Sequence, residues 1–323
     1  MQTAGTNGQF VIEGELWKAE LKEELFPALI SSFPHMRWLT DAFPTGNTLT
    51  IPTTGRMTVR TYEENDEITV EDPTLNEIQL TIDSYFQSGI GLTDKFKQDS
   101  YMVEMALAKW RADMIRGLKE KIEADVWNII HTDTTNGHTA ADDNDIDGID
   151  HRWAASGTTG AFDWNDFINA GYVLDKENVS KSGRIAVIDP WCARVLGLHT
   201  ATNSNAWYRQ DVLGANDFMK MGFGMSQYMG SFHGFNVYQS NLLATMDSET
   251  CPLFGSASTQ AITAPVVNLF LGPEAFFGAF RQNIELEQFR DYPRKRDVFH
   301  AAVRYGMRVY RPEAIVAVVS TAS

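Results

Sequence analysis

The spacing of apolar positions along this 323-residue chain changes several times. Between Ser100 and Ile130, the residues Val103, Leu107, Trp110, Met114, Leu118, Ile122, Val126 and Ile129 recur every three or four positions. No proline interrupts them and only Gly117 is a weak point, so the spacing predicts one long amphipathic helix. Trp17, Leu21 and Leu25 repeat every four residues until Pro27, which predicts a short helix over 13–26. A period of two marks Leu49/Ile51, Met57/Val59, Ile68/Val70 and Ile78/Leu80/Ile82 as strands wet on one face. It returns at Phe299, Ala301, Val303, Tyr305, Met307 and Val309, ahead of the apolar run 314–319. Between these lies an α/β pattern: a helix from Trp164 to Leu174, a strand over 184–189, a helix opened by Pro190 and running to about Leu198, and strands at 234–238 and 266–271. The Asp-, Thr- and Gly-rich stretch 132–160 reads as the boundary before that second unit.

Lengths turn these elements into a statement about shape. A helix of about 30 residues spans about 45 Å and a hairpin arm of about 15 residues about 50 Å. A compact globule of this length is only about 50 Å across. The expectation is a flat body with projecting parts that complete their burial against neighbours. The segment 62–71 sharpens it. Glu63, Glu64, Asp66, Glu67 and Glu71, with Arg56 and Arg60 just before, cannot bury themselves in their own subunit and should project as charged contacts between subunits.

Charge and chemistry narrow the functions. Acidic side chains number 42 against 27 basic ones, a net charge of −15, which opposes tight binding of DNA or RNA. No apolar run is long enough to span a membrane and the N-terminus lacks the makings of a secretory signal, so the chain is expected to stay where it is made. Cys192 and Cys251 fit neither a disulfide framework nor a zinc site. Asp143, Asp145 and Asp147, followed by Gly148, match the first half of a calcium loop, but Ala154 stands where a bidentate glutamate is required, so a solvated acidic loop is the better reading. Ser226 lacks the second glycine of a nucleophile elbow, and His131, His138 and His151 are spaced too irregularly for a ligand set. There is no phosphate- or dinucleotide-binding glycine motif, and no cofactor is expected. Arg290, Arg294, Lys295 and Arg296 stand beside Asp291 and Asp297, which favours ion pairs between subunits over a phosphate site. The methionine-rich run 218–229 favours a loop between subunits.

This order of parts resembles the major capsid proteins of tailed bacteriophages with the HK97 fold, over nearly the whole chain. The segments LDKENVSKSGRIAVIDP (174–190), GFNVYQSN (234–241) and YGMRVYRPEA (305–314) are similar to recurring stretches of such coats. The resemblance implies an α+β chain with an N-terminal arm (1–46) and an extended β-hairpin, the E-loop (47–83). It also implies a P-domain with a long spine helix (84–134, completed by 275–311) and an α/β A-domain (135–274, completed by 312–323). It further implies no enzymatic role and self-assembly as hexamers and pentamers into an icosahedral head, built in the host cytoplasm and ending in the virion. Portal, a separate scaffold and cement proteins would be its partners, and packaged DNA would be touched only weakly. Two departures matter. Too few residues precede the E-loop for a long cleavable scaffold segment, and 47–83 contains no lysine for a covalent cross-link. An encapsulin-like compartment is the alternative in the same architecture, and a calcium-stabilised hydrolase the alternative from another class.

Overall fold

The computed structural model describes residues 35–39, 46–55, 57, 59–61, 64, 67, 72, 75–99, 103–132, 145–146, 148–198, 228–256 and 258–322. The helix expected over 13–26 lies outside them. In chain order the first elements are β1 (Met36–Trp38), β2 (Thr48–Thr54), β3 (Leu75–Thr81), β4 (Ser84–Thr93), α1 (Asp94–Asp99) and α2 (Val103–Thr132). There follow β5 (Asp145–Ile146), β6 (Ile149–Asp150), β7 (Arg152–Ala154), α3 (Trp164–Lys176), β8 (Ile185–Ile188) and α4 (Pro190–Leu198). The chain closes through β9 (Tyr228–Phe232), β10 (Phe235–Gln239), β11 (Ser248–Pro252), β12 (Thr259–Thr263), β13 (Pro265–Leu271), β14 (Phe276–Asp291), β15 (Arg296–Val309) and β16 (Ile315–Thr321).

One unit is a six-stranded mixed sheet in the order β7-β16-β13-β8-β10-β9. β13 and most of β16 are buried on both faces, which is why they read in sequence as continuous apolar runs rather than alternations. Ile185, Val187, Leu269 and Leu271 point into one apolar layer, and Ala186, Ile188, Phe270 and Val318 into the other, with Phe167, Val173 and Leu174 of α3. The polar side chain in the middle of β13 is satisfied. Asn268 accepts from the Asp189 backbone N–H at 3.0 Å and donates to Ser320 Oγ at 2.8 Å. α3 starts on a capping box: Asp163 accepts from the Trp164 N–H, and buried Asp166 accepts from the Asp163 N–H at 2.9 Å. Arg152 on β7 and Glu249 on β11, both buried, form a two-pronged ion pair with 2.7 Å contacts.

The other unit is a four-stranded sheet, β1-β14-β15-β4, whose centre is the long antiparallel pair β14–β15. α2 lies on one face of it. Leu118 packs with Ala301, Val303 and Tyr305, and Met114 with Phe299 and Leu92. α2 ends two residues after the sequence expectation, and residues 100–102 of that expectation lie outside the described residues. Its last turns join the two units. Trp127, Ile129 and Ile130 enter the same core layer as Ile185, Leu269 and Phe276, and Trp127 stacks on buried His35 at 5.4 Å.

Glycine sets how the β2–β3 hairpin leaves this body. A Cβ on Gly306 would lie 2.3 Å from the Thr81 carbonyl oxygen and 2.9 Å from Ile82 Cα, so the chain leaving β3 rests directly on the backbone of β15. Gly278, opposite Gly306's neighbour Met307 on β14, is as closely covered by Met36. Gly306→Ala should therefore lower the unfolding free energy of the monomeric chain by about 1–3 kcal/mol in urea melts. Gly117→Ala, on the exposed side of α2 with open space around it, should raise it by about 0.5–1 kcal/mol.

Burial also sets a pH dependence. Desolvation holds His35 at a pKa of about 3, and desolvation with the nearby Arg152 charge holds His131 at about 3. The unfolded chain protonates both near 6.5, so the stability they contribute is whole above that pH and is lost as pH falls toward 3. Asp166, raised by burial to about 6, has the opposite sign: its contribution declines as pH rises from 3.8 to 6. Two histidines outweigh one carboxyl. Chemical denaturation of the monomeric chain should give falling stability from pH 6.5 to 4, and a flat or rising profile would contradict the assignment.

Candidate assembly surfaces

The hairpin pairs Thr48 with Thr81 through to Thr54 with Leu75. At its root Leu49, Ile51, Ile78 and Leu80 pack on Ile82, Phe277 and Tyr310, so one face is anchored to the long sheet. Toward its tip the described side chains lie open to solvent. Met57, Arg60, Glu64, Glu67 and Asp72 are exposed, and Val59 is 96% exposed. Residues 57 and 59–61 are not strand, which corrects the expected arms of about 15 residues: each has seven residues, about 23 Å. The regular pairing runs through Pro52 and ends at the Thr54–Gly55 step, before the alternation at Met57 and Val59 can use it. Arg56, Glu63 and Asp66 lie outside the described residues.

At the far end of the long sheet β14 and β15 turn through residues 292–295, closed by the Lys295 N–H donating to the Tyr292 carbonyl at 3.2 Å. Beneath the turn is a set of ion pairs. Arg290 donates to both oxygens of Asp94 at 2.6 and 2.5 Å and to Asp297 at 2.8 Å. Lys97 pairs with Asp297, and Arg296 donates to Asp291 at 2.9 Å. The Arg290 hydrogen bond holds the Asp94 carboxyl below the usual carboxylate range, Lys97 and then Arg290 do the same for Asp297, and Arg290 is raised in turn. Two members of the basic group thus have carboxylates within the chain. The other two point outward: Arg294, 71% exposed, has Asp291 only at 3.7 Å, and Lys295 is exposed in a left-handed conformation at φ 46°. Tyr292, 80% exposed, stands beside them.

A cleft of about 680 Å³ lies at the hairpin root, where the β3–β4 corner, the C-terminal half of α2 and the end of β15 meet. Its walls include Asp83, Phe86, Lys121, Asp125, Tyr305 and Arg308. Tyr305 donates to Asp125 at 2.6 Å, as does Lys121, and Arg308 donates to the Gln79 carbonyl at 2.7 Å. Burial, then Asp125 and Asp83, push the Tyr305 hydroxyl pKa up. Asp83 accepts from Ser84 Oγ at 3.1 Å and meets no cation among the described residues.

The residues with catalytic or metal potential do not converge. Cys192 and Cys251 are buried thiols pushed up to about 11 and about 12 by desolvation, which makes them poor nucleophiles. His131 is half-buried at the end of α2 and His151 is buried just before β7, while His138 and Ser226 lie outside the described residues. Asp145 falls in the two-residue hairpin β5–β6, turned by Gly148 at φ 79°, and Asp143 and Asp147 are outside the description. Among the described residues no three His, Cys, Asp or Glu side chains form a metal-binding group, and no helix is long and apolar enough to cross a membrane.

Projecting hairpin, long helix on a long sheet, and a separate mixed sheet are the parts of a shell subunit, and comparison with known proteins decides the matter. Residues 76–318 match the family model described as phage capsid protein. The chain belongs to that family. Solved phage capsid structures share its fold over nearly all of both chains: that of Mycobacterium phage Che8 at 18% identity, 98% of each chain and a TM-score of 0.65, and that of cyanophage P-SCSP1u at 15% identity, 99% of this chain and 96% of that one, with a TM-score of 0.63. The capsid chain of a native GTA particle superposes at 13% identity over 98% of this chain and all of that one, with a TM-score of 0.56. No curated protein matches the sequence closely enough to count as a relative. This phage capsid protein is a structural, HK97-like major capsid subunit, and the encapsulin alternative is not favoured.

Sequence reasoning found both charged regions of the capsid protein but missed Asp94, 196 positions from Arg290, because no local pattern links them. Arg290→Gln removes the side chain that ties α1 to the β14–β15 turn. Hydrogen exchange at residues 291–297 should quicken in the variant while exchange in the core strand β13 stays unchanged.

Proposed function

We propose that the capsid protein builds an icosahedral head around double-stranded phage DNA as hexamers and pentamers, with no enzymatic step. One observation carries this reading: a hairpin anchored at its root leaves the apolar Val59, 96% exposed, in the segment beyond its strands. Copies would cover it. Each contact of standard size, about 1,600 Å² or less, is reversible alone, while many per subunit make a closed shell durable and let misplaced copies leave. The acidic balance suits a lining that does not grip phosphate, so DNA would be touched weakly and could slide during packaging. Portal, a separate scaffold and cement proteins remain the expected partners, assembly the expected event in the host cytoplasm, and residues 47–83, 84–134 and 135–274 the E-loop, P-domain and A-domain.

In this reading Arg56, Arg60, Glu63, Glu64, Asp66 and Glu67 make charged contacts with the next subunit. Arg56→Glu with Arg60→Glu should abolish particles in electron micrographs while the monomer keeps its circular dichroism spectrum and melting temperature, because like charges misregister an interface but exposed pairs add little to folding. Normal particles from that double variant would remove those arginines from the interface.

A further inference from the structure

The turn at one end of the long sheet presents two exposed cations, and the cleft at its other end presents an exposed carboxylate, Asp83. The turn 292–295 is a narrow knob carrying Tyr292, Arg294 and Lys295 outward, its base held firm by the Arg290–Asp94–Asp297 pairs. The cleft is a hollow of about 680 Å³ in whose wall Lys121 is taken by Asp125 and Arg308 by the Gln79 carbonyl, while the Asp83 carboxylate meets no cation among the described residues and Phe86 offers an apolar surface. β15 runs from the turn to the cleft, of which its end forms one wall. From Arg296 to Tyr305 along β15 is nine steps, about 30 Å of paired strand, so the knob of a subunit cannot reach its own cleft.

We infer that the Tyr292–Lys295 turn of one copy docks in the hairpin-root cleft of a second copy, with Arg294 or Lys295 meeting Asp83. This rests on the shell reading above and names one contact of that shell. Because knob and cleft are different patches, the contact is head-to-tail, and repeating it generates a ring or an open array rather than a closed pair. Tyr292 supplies an aromatic anchor of the kind that concentrates binding energy at interfaces, and the cations supply register. The cleft also touches the corner through which the hairpin leaves the body, so an occupied cleft holds that corner, and one subunit's turn would steady the next subunit's hairpin.

Paired cysteines test this in particles of the full chain. Asn128→Cys on the cleft wall and Arg294→Cys on the turn leave Asp83 and Lys295 in place, and the native thiols are buried. After mild oxidation, bands at multiples of the subunit mass on a non-reducing gel, absent from either single variant, are expected. Particles that form but show no such bands overturn the docking and leave the shell reading intact, whereas wild-type chain that never assembles overturns the shell reading itself. Should the cysteine pair block assembly, charge exchange decides. Asp83→Lys should reduce particle yield at least tenfold, and adding Arg294→Glu and Lys295→Glu should restore it. Failure of that restoration overturns the docking.

Discussion

Beyond the end covered by the hairpin root, the long sheet has one helix upon it and buries mainly one of its faces, and this constraint governs the rest of the molecule. β4 shows it residue by residue. Phe86, Ser88, Ile90 and Leu92 turn toward α2 and are partly or wholly buried, while Tyr85, Gln87, Gly89, Gly91 and Thr93 stay exposed on the other side. β15 divides less cleanly, with Phe299, Ala301, Val303 and Tyr305 buried under the helix and, opposite, Val298, His300 and Arg304 partly buried around a buried Ala302. β14 loses even that cover toward its end, where Leu286 and Phe289 are exposed. A soluble monomer has little reason to keep such a sheet 14 to 16 residues long. A subunit whose neighbours lie against it does.

The second consequence concerns rigidity. The central strand of the mixed sheet, β13, is buried on both faces and its Asn268 is paired, so it forms a firm block, and Trp127 to Ile130 carry the end of α2 into that block. Ion pairs then fix the opposite end of the long sheet, and glycine at 306 lets the hairpin root sit on the sheet backbone. Contacts presented from such a frame keep their geometry, which a shell needs, because each interface must repeat at the same angle for the surface to close. The charged residues at the surface supply register more than energy.

Much of this was legible in the sequence because periodicity reports burial on one side. The helix of α2, the alternation at 299–309, the helix opened by Pro190 and the apolar strands at 266–271 and 315–319 all appear within a few residues of their expected limits. β14 was missed for a physical reason. It begins as the unbroken apolar run 275–280 and then loses its alternation at two register shifts, between Phe280 and Gln282 and between Gln282 and Glu285. β4 was missed because Gly89 and Gly91 stand on its exposed face and hide a sound pattern on the other. β11 and β12 are short and mostly polar, with Cys251 and Ile262 as their buried anchors. The cleft could not be read at all, since it is made by three elements distant in sequence, whereas the exposed cations beside Pro293 were visible and their partners within the chain were not.

The account stands on the claim that this subunit is incomplete alone. Sedimentation velocity over a concentration series of the purified full chain at neutral pH, with negative-stain images of the same samples, tests it most directly. The expected result is a rise from monomer to closed particles of uniform diameter and megadalton mass. A chain that sediments as a 36.2 kDa monomer at every concentration, with the hairpin amides protected from exchange, would contradict it.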